Sequence, residues 1–174
     1  MGGPKALMDV DGQPWWRIQH NRLRGIDIDT VWVLSPDVAP IVRDCDDAPP
    51  LIVESPADAP MFDSLLAGLH SLCKDPARGV FILPIDCPAP GPEVWRALSA
   101  RGPVGVPVRD GLDGHPIFLG WAWVVRTILD AELDTELRRL DVLTRSERNL
   151  VPVHDPDVGV NLNTPEDVVA WMRG

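Results

Sequence analysis

The fold is decided by one apolar stretch that ends in a carboxylate, Val80-Phe81-Ile82-Leu83-Pro84-Ile85-Asp86-Cys87-Pro88. Its first five residues are apolar, which is typical of a strand covered on both faces in an open α/β sheet. Proline also occupies positions 88 and 90, where it cannot donate to a strand ladder. The stretch therefore predicts a buried strand that ends close to Asp86.

The position of Asp86 suggests a function. In open α/β sheets, ligands bind beyond the carboxyl ends of the strands. Asp86 therefore lies where a metal ion or a phosphate-bearing substrate would be held. The alternative is that Asp86 is an ordinary polar turn residue, and this stretch alone does not distinguish the two.

Strand-like and helix-like patterns alternate along the chain, as an α/β domain requires. Apolar runs predict strands at residues 30–34, 51–53, 80–84, 104–108, 117–119 and 150–153. Helical spacing predicts helices at residues 15–23, 61–72, 92–100, 121–129 and 134–143. Residues 37–48 are acidic and weakly patterned. Within the helix at 61–72, the small residues Ser64, Ala67 and Gly68 permit close approach of either a ligand or a neighbouring strand.

Composition favours one globular domain that spans residues 1–174, with 45% hydrophobic residues to build its core. The formal net charge of −10 argues against a nucleic-acid partner, although a divalent cation would still allow a small anionic substrate. No apolar run is long enough to span a bilayer, so we expect no membrane partner. The three cysteines, Cys45, Cys73 and Cys87, lack metal-ligand spacing, and we predict a reducing, cytoplasmic location.

The first residues combine glycine with one of the two lysines of the chain. Gly2 and Gly3 precede Lys5, and the only other lysine is Lys74. Glycine lets backbone N–H groups approach an anion, and a lysine supplies a mobile positive charge. The alternative interpretation is a frayed terminus that happens to contain a lysine.

Two further segments carry polar groups at strand ends. Asn161 and Asn163 lie two residues apart on a predicted extended segment, so both amides face the same side. A helix should follow them, because Thr164 is a good N-cap, Pro165 suits the first helical position and Asp167 can close a capping box. Earlier in the chain, His115 stands between Gly114 and Pro116 at the start of a strand, where it is either a directed functional group or a turn residue.

Five motifs follow one another along the chain: Met1-Gly2-Gly3-Pro4-Lys5-Ala6-Leu7, the helix from Met61 to Gly68, Leu83-Pro84-Ile85-Asp86-Cys87-Pro88, Gly114-His115-Pro116 and Asn161-Leu162-Asn163-Thr164-Pro165-Glu166-Asp167. In this order they resemble the MobA-like nucleotidyltransferases, which include the molybdenum cofactor guanylyl- and cytidylyltransferases. The resemblance implies a three-layer α/β/α, GT-A-like and Rossmann-related domain with a mixed, mostly parallel sheet. It also implies Mg²⁺-dependent transfer of GMP or CMP from GTP or CTP to the phosphate of a molybdopterin-type cofactor, with release of pyrophosphate.

The resemblance assigns roles to individual residues. Lys5 would contact the triphosphate, next to Gly2 and Gly3, and Asp86 would bind Mg²⁺ together with Asn161 or Asn163. The segment from Met61 to Gly68, with Ser64 within it, would line the base and ribose. Gly114 and His115 would face the acceptor. Mg²⁺ takes oxygen ligands from few protein groups plus phosphates and water, so one carboxylate and one amide are sufficient. A phosphate monoester is already largely ionised at pH 7, so the reaction needs no strong general base.

One departure from the family pattern affects the nucleotide site. The family places a buried strand and a Leu-x-Ala-Gly-x-x-x-Arg loop before the first motif, and the loop supplies N–H groups to the triphosphate. Here the first strand is missing, which would leave two neighbouring strands with unpaired edges. We favour a misplaced start codon; the alternatives are a truncated chain and a descendant that has lost nucleotide binding.

Two other functions stay open at this point. One is a non-catalytic remnant of the fold that binds a cofactor or a partner chain, and the other is a sugar-phosphate nucleotidyltransferase. The sequence distinguishes neither GTP from CTP nor a monomer from a homo-oligomer.

Overall fold

The computed structural model describes residues 4–72 and 78–173. Its largest sheet has five strands, β5 (Gly79–Ile82), β6 (Val104–Arg109), β7 (Leu112–Asp113), β8 (Ile117–Gly120) and β9 (Arg148–Pro152). β8 pairs antiparallel with both β5 and β6, whereas β9 pairs parallel with β6. β5, β6 and β9 therefore run one way, and β8 runs the other way. The predicted α/β fold with a mixed sheet is confirmed, although the described ladders of this sheet are mostly antiparallel and only β6 with β9 is parallel.

The strand predicted from the apolar stretch is β5, and helices cover both of its faces. Val80 and Ile82 pack into a cluster with residues of the helices α3 (Met61–Leu72) and α5 (Trp121–Val124). Phe81 points to the opposite face, where its ring lies 5.0 Å from that of Trp95. The residues of β5 are nevertheless only half-buried, because no strand in the described part of the chain pairs with its second edge.

A second sheet consists of two parallel strands, β3 (Trp32–Leu34) and β4 (Ile52–Glu54). Within residues 4–72 and 78–173, β4 is the only strand that pairs with β3. Leu34 of β3 nevertheless belongs to the same core cluster as Phe81, Leu83 and Ile85, which lie on β5 or just after it. The two sheets thus share a core although no hydrogen-bonded ladder joins them. A short hairpin, β1 (Asp9–Val10) and β2 (Gln13–Pro14), precedes the first helix.

The remaining helices are α1 (Trp15–Arg24), α2 (Ala39–Arg43), α4 (Pro92–Ser99), α6 (Leu140–Thr144) and α7 (Pro165–Met172). Short 3₁₀ turns cover Lys5–Leu7 and Thr135–Leu137, and α5 continues as a π-helical turn at Val125–Leu129. Trp15 and Trp16 of α1 are fully buried and anchor this helix in the core. In the described residues, no helix is both long enough and apolar enough to cross a membrane.

One predicted helix was wrong, and one short helix was not predicted. The helix predicted at residues 134–143 is broken, because Arg139 is extended and takes the N-cap position of α6. Leu140 and Leu143 pack against the core, whereas Leu137 is exposed, so no continuous apolar stripe holds a longer helix. The weakly patterned residues 37–48 contain α2, a helix of little more than one turn that begins close to a proline and buries Ala39 and Val42.

The predicted start of α7 is confirmed in detail. The Thr164 hydroxyl accepts from the Asp167 N–H at 3.1 Å, and the Asp167 carboxylate accepts from the Thr164 N–H at 2.9 Å. These bonds form a reciprocal capping box. We expect Thr164→Ala to lower the free energy of unfolding by about 1 kcal/mol, because the N-cap acceptor is lost. Guanidinium unfolding of this variant beside Ser99→Ala, whose hydroxyl bonds only within its own helix, measures the difference.

The carboxylate of the capping box predicts a pH dependence. The N–H groups of Thr164 and Asn163 hold the pKa of Asp167 below its usual value. A group with a depressed pKa stabilises the fold above its unfolded pKa and loses that contribution as the pH falls through its folded pKa. We therefore expect wild type to lose stability relative to Asp167→Asn as the pH falls below about 4. A difference between the two proteins that stays constant from pH 7 to pH 3 would contradict this expectation.

Candidate functional site

The predicted functional acid lies in a tight turn directly after β5. The turn is closed by the Cys87 N–H, which donates to the Pro84 carbonyl at 3.1 Å. The Asp86 carbonyl accepts from the Leu162 N–H at 2.7 Å. This bond brings the segment before α7 next to the end of β5, although the two are far apart in the sequence. The turn therefore brings Asp86 next to the segment that carries the two asparagines.

Three side chains from separate parts of the chain meet at this point. The Lys5 ammonium donates to Asp86 Oδ2 at 2.7 Å and to Asn163 Oδ1 at 2.9 Å. The Lys5 and Asp86 side chains are 37% and 24% exposed, so solvent still reaches the ion pair. The carboxylate and one of the two amides thus converge on a single cation, and that cation is a lysine ammonium.

The second asparagine does not join this group. Asn161 and Asn163 are both exposed and flank Leu162, which is buried. In residues 4–72 and 78–173, the Asn161 side chain makes no hydrogen bond, whereas that of Asn163 bonds to Lys5. Of the two amides, the structure brings only Asn163 to Asp86 and Lys5. Gly2 and Gly3 lie outside the described residues.

The donor set fits a hard divalent cation only in part. Carboxylate and amide oxygens are ligands that Mg²⁺ accepts, usually from one or two protein groups together with phosphates and water. In the described residues, no three His, Cys, Asp or Glu side chains are grouped as a metal site. The Lys5 ammonium also holds both oxygens. A divalent ion would therefore need Lys5 to move away and would take its remaining ligands from a substrate or water.

A cavity of about 290 Å³ opens beside Lys5. Its other lining residues come from the first 3₁₀ turn, from the region of β3 and from the Asp86 turn: Ala6, Val33, Leu34, Ser35, Val38 and Ile85. A larger cavity of about 380 Å³ contains none of the three converging side chains and is lined by four aspartates, Asp27, Asp29, Asp46 and Asp47. Because carboxylates repel a triphosphate, the smaller cavity is the better candidate for an anionic substrate.

The small residues of α3 pack mostly within the protein. A Cβ added to Gly68 would lie 3.0 Å from Cγ2 of Val33, so this glycine allows α3 to approach β3 closely. The Ser64 hydroxyl lies 2.9 Å from that of Ser55. Met61, at the start of the helix, is 79% exposed. Of the two interpretations of Gly68, the geometry favours packing against a strand, whereas Met61 is free to contact a ligand.

Gly114 and His115 lie in a crowded position next to β8. A Cβ on Gly114 would approach Val158 Cγ1 to 2.6 Å, so no larger residue fits there. Burial lowers the pKa of His115, and the Ile82 carbonyl and the charge of Asp86 only partly offset this effect. Its Nδ1 is buried and has no hydrogen-bond partner in the part of the chain that the structure describes. His115 is therefore a neutral imidazole at pH 7, close enough to the Asp86 turn to respond to its charge.

The thiol next to Asp86 is not a nucleophile. Cys87 is 6% exposed, and its Sγ lies 3.8 Å from Asp86 Oδ1. Burial, followed by the neighbouring Asp86 charge, raises the pKa of Cys87 to about 12. Only a thiolate attacks as a nucleophile, so this side chain reacts only when local opening of the structure exposes it.

Sequence reasoning missed the residues of α1 that hold the Asp86 turn. Trp15, Gln19 and Arg22 lie on one face of the helix, and each of them bonds to the backbone of residues 85–89. The signal in the sequence was the spacing of Trp15, Gln19 and Arg22, which are four and three residues apart, as on one face of a helix. The sequence alone shows that these residues share a face, but not which segment they contact.

The fold is that of known nucleotidyltransferases. A rv0371c homolog from Mycobacterium sp. strain JC1 superposes with a TM-score of 0.72 at 19% identity, over 99% of this chain and 88% of that chain. The 2-C-methyl-D-erythritol 4-phosphate cytidylyltransferase from Thermus thermophilus gives 0.67 at 17% identity, over 99% and 95%. Rv0371C from Mycobacterium tuberculosis H37Rv, in complex with manganese, gives 0.65 at 19% identity, over 98% and 92%. Identities this low establish the fold alone.

The sequence itself defines the family. The model of the MobA-like NTP transferase domain matches residues 1–149, and the chain belongs to this family. No curated protein sequence matches the chain. The resemblance to this family is therefore confirmed over residues 1–149, which contain the first four motifs, whereas the fifth motif at 161–167 lies beyond the matched range.

Proposed function

We propose that the protein is a Mg²⁺-dependent nucleotidyltransferase that moves GMP or CMP from the nucleoside triphosphate to the phosphate of a molybdopterin-type cofactor. The observation that carries this proposal is the convergence of Lys5, Asp86 and Asn163 beside an open cavity. Membership in the MobA-like family supports a nucleotide as one substrate and a small molecule as the other. We place the reaction in the cytoplasm.

The ion pair of Lys5 can exchange partners when the substrate binds. A solvent-accessible ion pair contributes only about 0–1 kcal/mol, so releasing Lys5 from Asp86 costs little, and a triphosphate offers the ammonium more negative charge than one carboxylate does. Lys5 would therefore leave Asp86 and Asn163 to bind the triphosphate. The two oxygens would then be free to hold Mg²⁺, which when bound neutralises phosphate charge.

The other residues position the acceptor and the nucleoside. Its phosphate monoester is largely ionised at pH 7 and attacks the α-phosphorus, so that a new P–O bond forms and pyrophosphate leaves. His115 is neutral and offers the acceptor a polar contact without a charge, next to the crowded Gly114. Met61, exposed at the start of α3, covers the base and ribose, with Ser64 further along the helix. Catalysis in this proposal comes from positioning and charge neutralisation.

A sugar-phosphate acceptor is the second candidate. The structural similarity to a cytidylyltransferase of 2-C-methyl-D-erythritol 4-phosphate favours it, since both acceptors present a phosphate monoester. Pyrophosphate release distinguishes the two acceptors. It is measured for GTP and for CTP with each acceptor, with and without Mg²⁺. We expect release with a molybdopterin-type acceptor only when Mg²⁺ is present. Pyrophosphate release with the sugar phosphate but not with the molybdopterin-type acceptor would replace the first candidate. Nucleotide binding without pyrophosphate release in any combination would favour a non-catalytic remnant.

A further inference from the structure

Side chains on one face of α1 make hydrogen bonds to the backbone of the Asp86 turn, as a neighbouring strand would otherwise do. Trp15 Nε1 donates to the Ile85 carbonyl at 2.6 Å. Gln19 Nε2 donates to the Cys87 carbonyl at 2.7 Å, and Gln19 Oε1 accepts from the Ala89 N–H at 3.0 Å. The Arg22 guanidinium donates twice to the Ala89 carbonyl, at 2.9 and 2.6 Å. Three side chains thus satisfy four backbone polar groups of the segment 85–89.

The segment needs these partners because it cannot form a ladder of its own. Pro84, Pro88 and Pro90 have no N–H group, and β5 ends at Ile82. A buried backbone group without a partner costs about 1–3 kcal/mol. Each bond from α1 therefore selects one conformation of the turn over the alternatives that would leave the group unpaired.

Gln19 is the central member of this set. It is 2% exposed, and both ends of its amide are used, one as donor and one as acceptor. Neither a carboxylate nor an apolar side chain can make both bonds. Its two partners, Cys87 and Ala89, lie on either side of Pro88, and Cys87 directly follows Asp86. Gln19 therefore fixes the backbone directly next to Asp86, the residue that carries the proposed functional carboxylate.

We infer that Gln19 is a positioning residue that holds the turn after β5, so that the Asp86 carboxylate faces Lys5 and Asn163. Gln19 acts through the backbone and contacts neither substrate. The catalytic consequence rests on the proposed function, whereas the effect on the turn itself does not.

The test uses the Cys87 thiol as a reporter of the turn. Gln19→Met preserves the length of the side chain and removes both hydrogen bonds. We expect a thiol reagent to modify Cys87 in this variant about tenfold faster than in wild type under native conditions, with the site identified by peptide mass mapping. Trp15→Phe, which removes one donor and keeps most of the packing, is the second variant and should also accelerate labelling. Outer partners of this kind typically change activity about 10- to 100-fold, and here kcat should fall with little change in KM for the nucleotide.

A matched control separates local positioning from general destabilisation. Thr144→Val removes another buried polar group, whose hydroxyl bonds only to the Leu140 carbonyl of its own helix. We expect the Cys87 thiol of this variant to be labelled at the wild-type rate when the variants are compared at equal free energy of unfolding. Equal acceleration in Thr144→Val and Gln19→Met, or no acceleration in folded Gln19→Met and Trp15→Phe, would overturn the inference. Labelling needs no substrate, so the expected pattern in a protein without nucleotidyl transfer would uphold the inference and reject only the proposed function.

Discussion

Asp86→Asn is expected to lower the proposed Mg²⁺-dependent turnover about 10³-fold, the upper end of what one preorganised polar group typically contributes. The substitution keeps the size of the side chain and removes the negative charge that now pairs with Lys5. An amide is a weaker ligand for Mg²⁺ than a carboxylate, and it leaves the ammonium without an anion. Pyrophosphate release at saturating nucleotide and Mg²⁺ measures the loss.

Asp110→Asn is the matched control for this prediction. Asp110 is largely exposed and sits in the tight turn between β6 and β7 with a φ of 51°. Asparagine tolerates this left-handed conformation, so the substitution removes one charge without straining the fold. We expect the control to keep wild-type turnover. If Asp86→Asn turned over as fast as the control, Asp86 would have no part in the reaction.

Lys5→Met should have opposite effects on metal binding and on turnover. Without the ammonium, Asp86 and Asn163 lose the cation that they share, so we expect Mn²⁺ to bind to the nucleotide-free protein on the order of tenfold more tightly. Turnover should nevertheless fall about 10²-fold, because the triphosphate would lose the lysine contact that we propose. Electron paramagnetic resonance of free and bound Mn²⁺ measures the affinity, and pyrophosphate release measures the turnover.

The matched variant for Lys5 is Arg145→Met, which removes the same charge from an exposed position at the end of α6. A general change in net charge would raise Mn²⁺ affinity equally in both variants. Our interpretation requires the increase in Lys5→Met alone. Weaker Mn²⁺ binding in Lys5→Met would mean that the lysine supports the metal site instead of competing with it.

Local rules in the sequence were sufficient for the elements that carry the site. The apolar run predicted β5, although the strand ends at Ile82 instead of close to Asp86, and the pattern Thr164, Pro165 and Asp167 predicted the start of α7. Both depend on residues only a few positions apart. The helix predicted at 134–143 failed because its charged residues are exposed and no apolar partner extends along it.

The contacts between distant residues could not be read in this way. The bond between Lys5 and Asn163 joins residues 158 positions apart, and no local pattern shows that they meet. The expectation that the asparagines share a side did not reveal that only Asn163 reaches Lys5. For Gly68, the sequence allowed a ligand or a strand, and only the position of Val33 distinguishes them. Long-range packing therefore decides which of the candidate residues act together.

In the mechanism that we propose, Asp86 holds a divalent cation once the nucleotide draws Lys5 away. Its most direct test is the affinity of Mn²⁺ for the protein in the presence of a non-hydrolysable nucleoside triphosphate, measured by electron paramagnetic resonance for wild type and Asp86→Asn. We predict that the triphosphate tightens Mn²⁺ binding to wild type and that this gain disappears in Asp86→Asn. Equal Mn²⁺ affinity of the two proteins with the triphosphate present would show that the nucleotide alone holds the metal and that Asp86 is not a metal ligand.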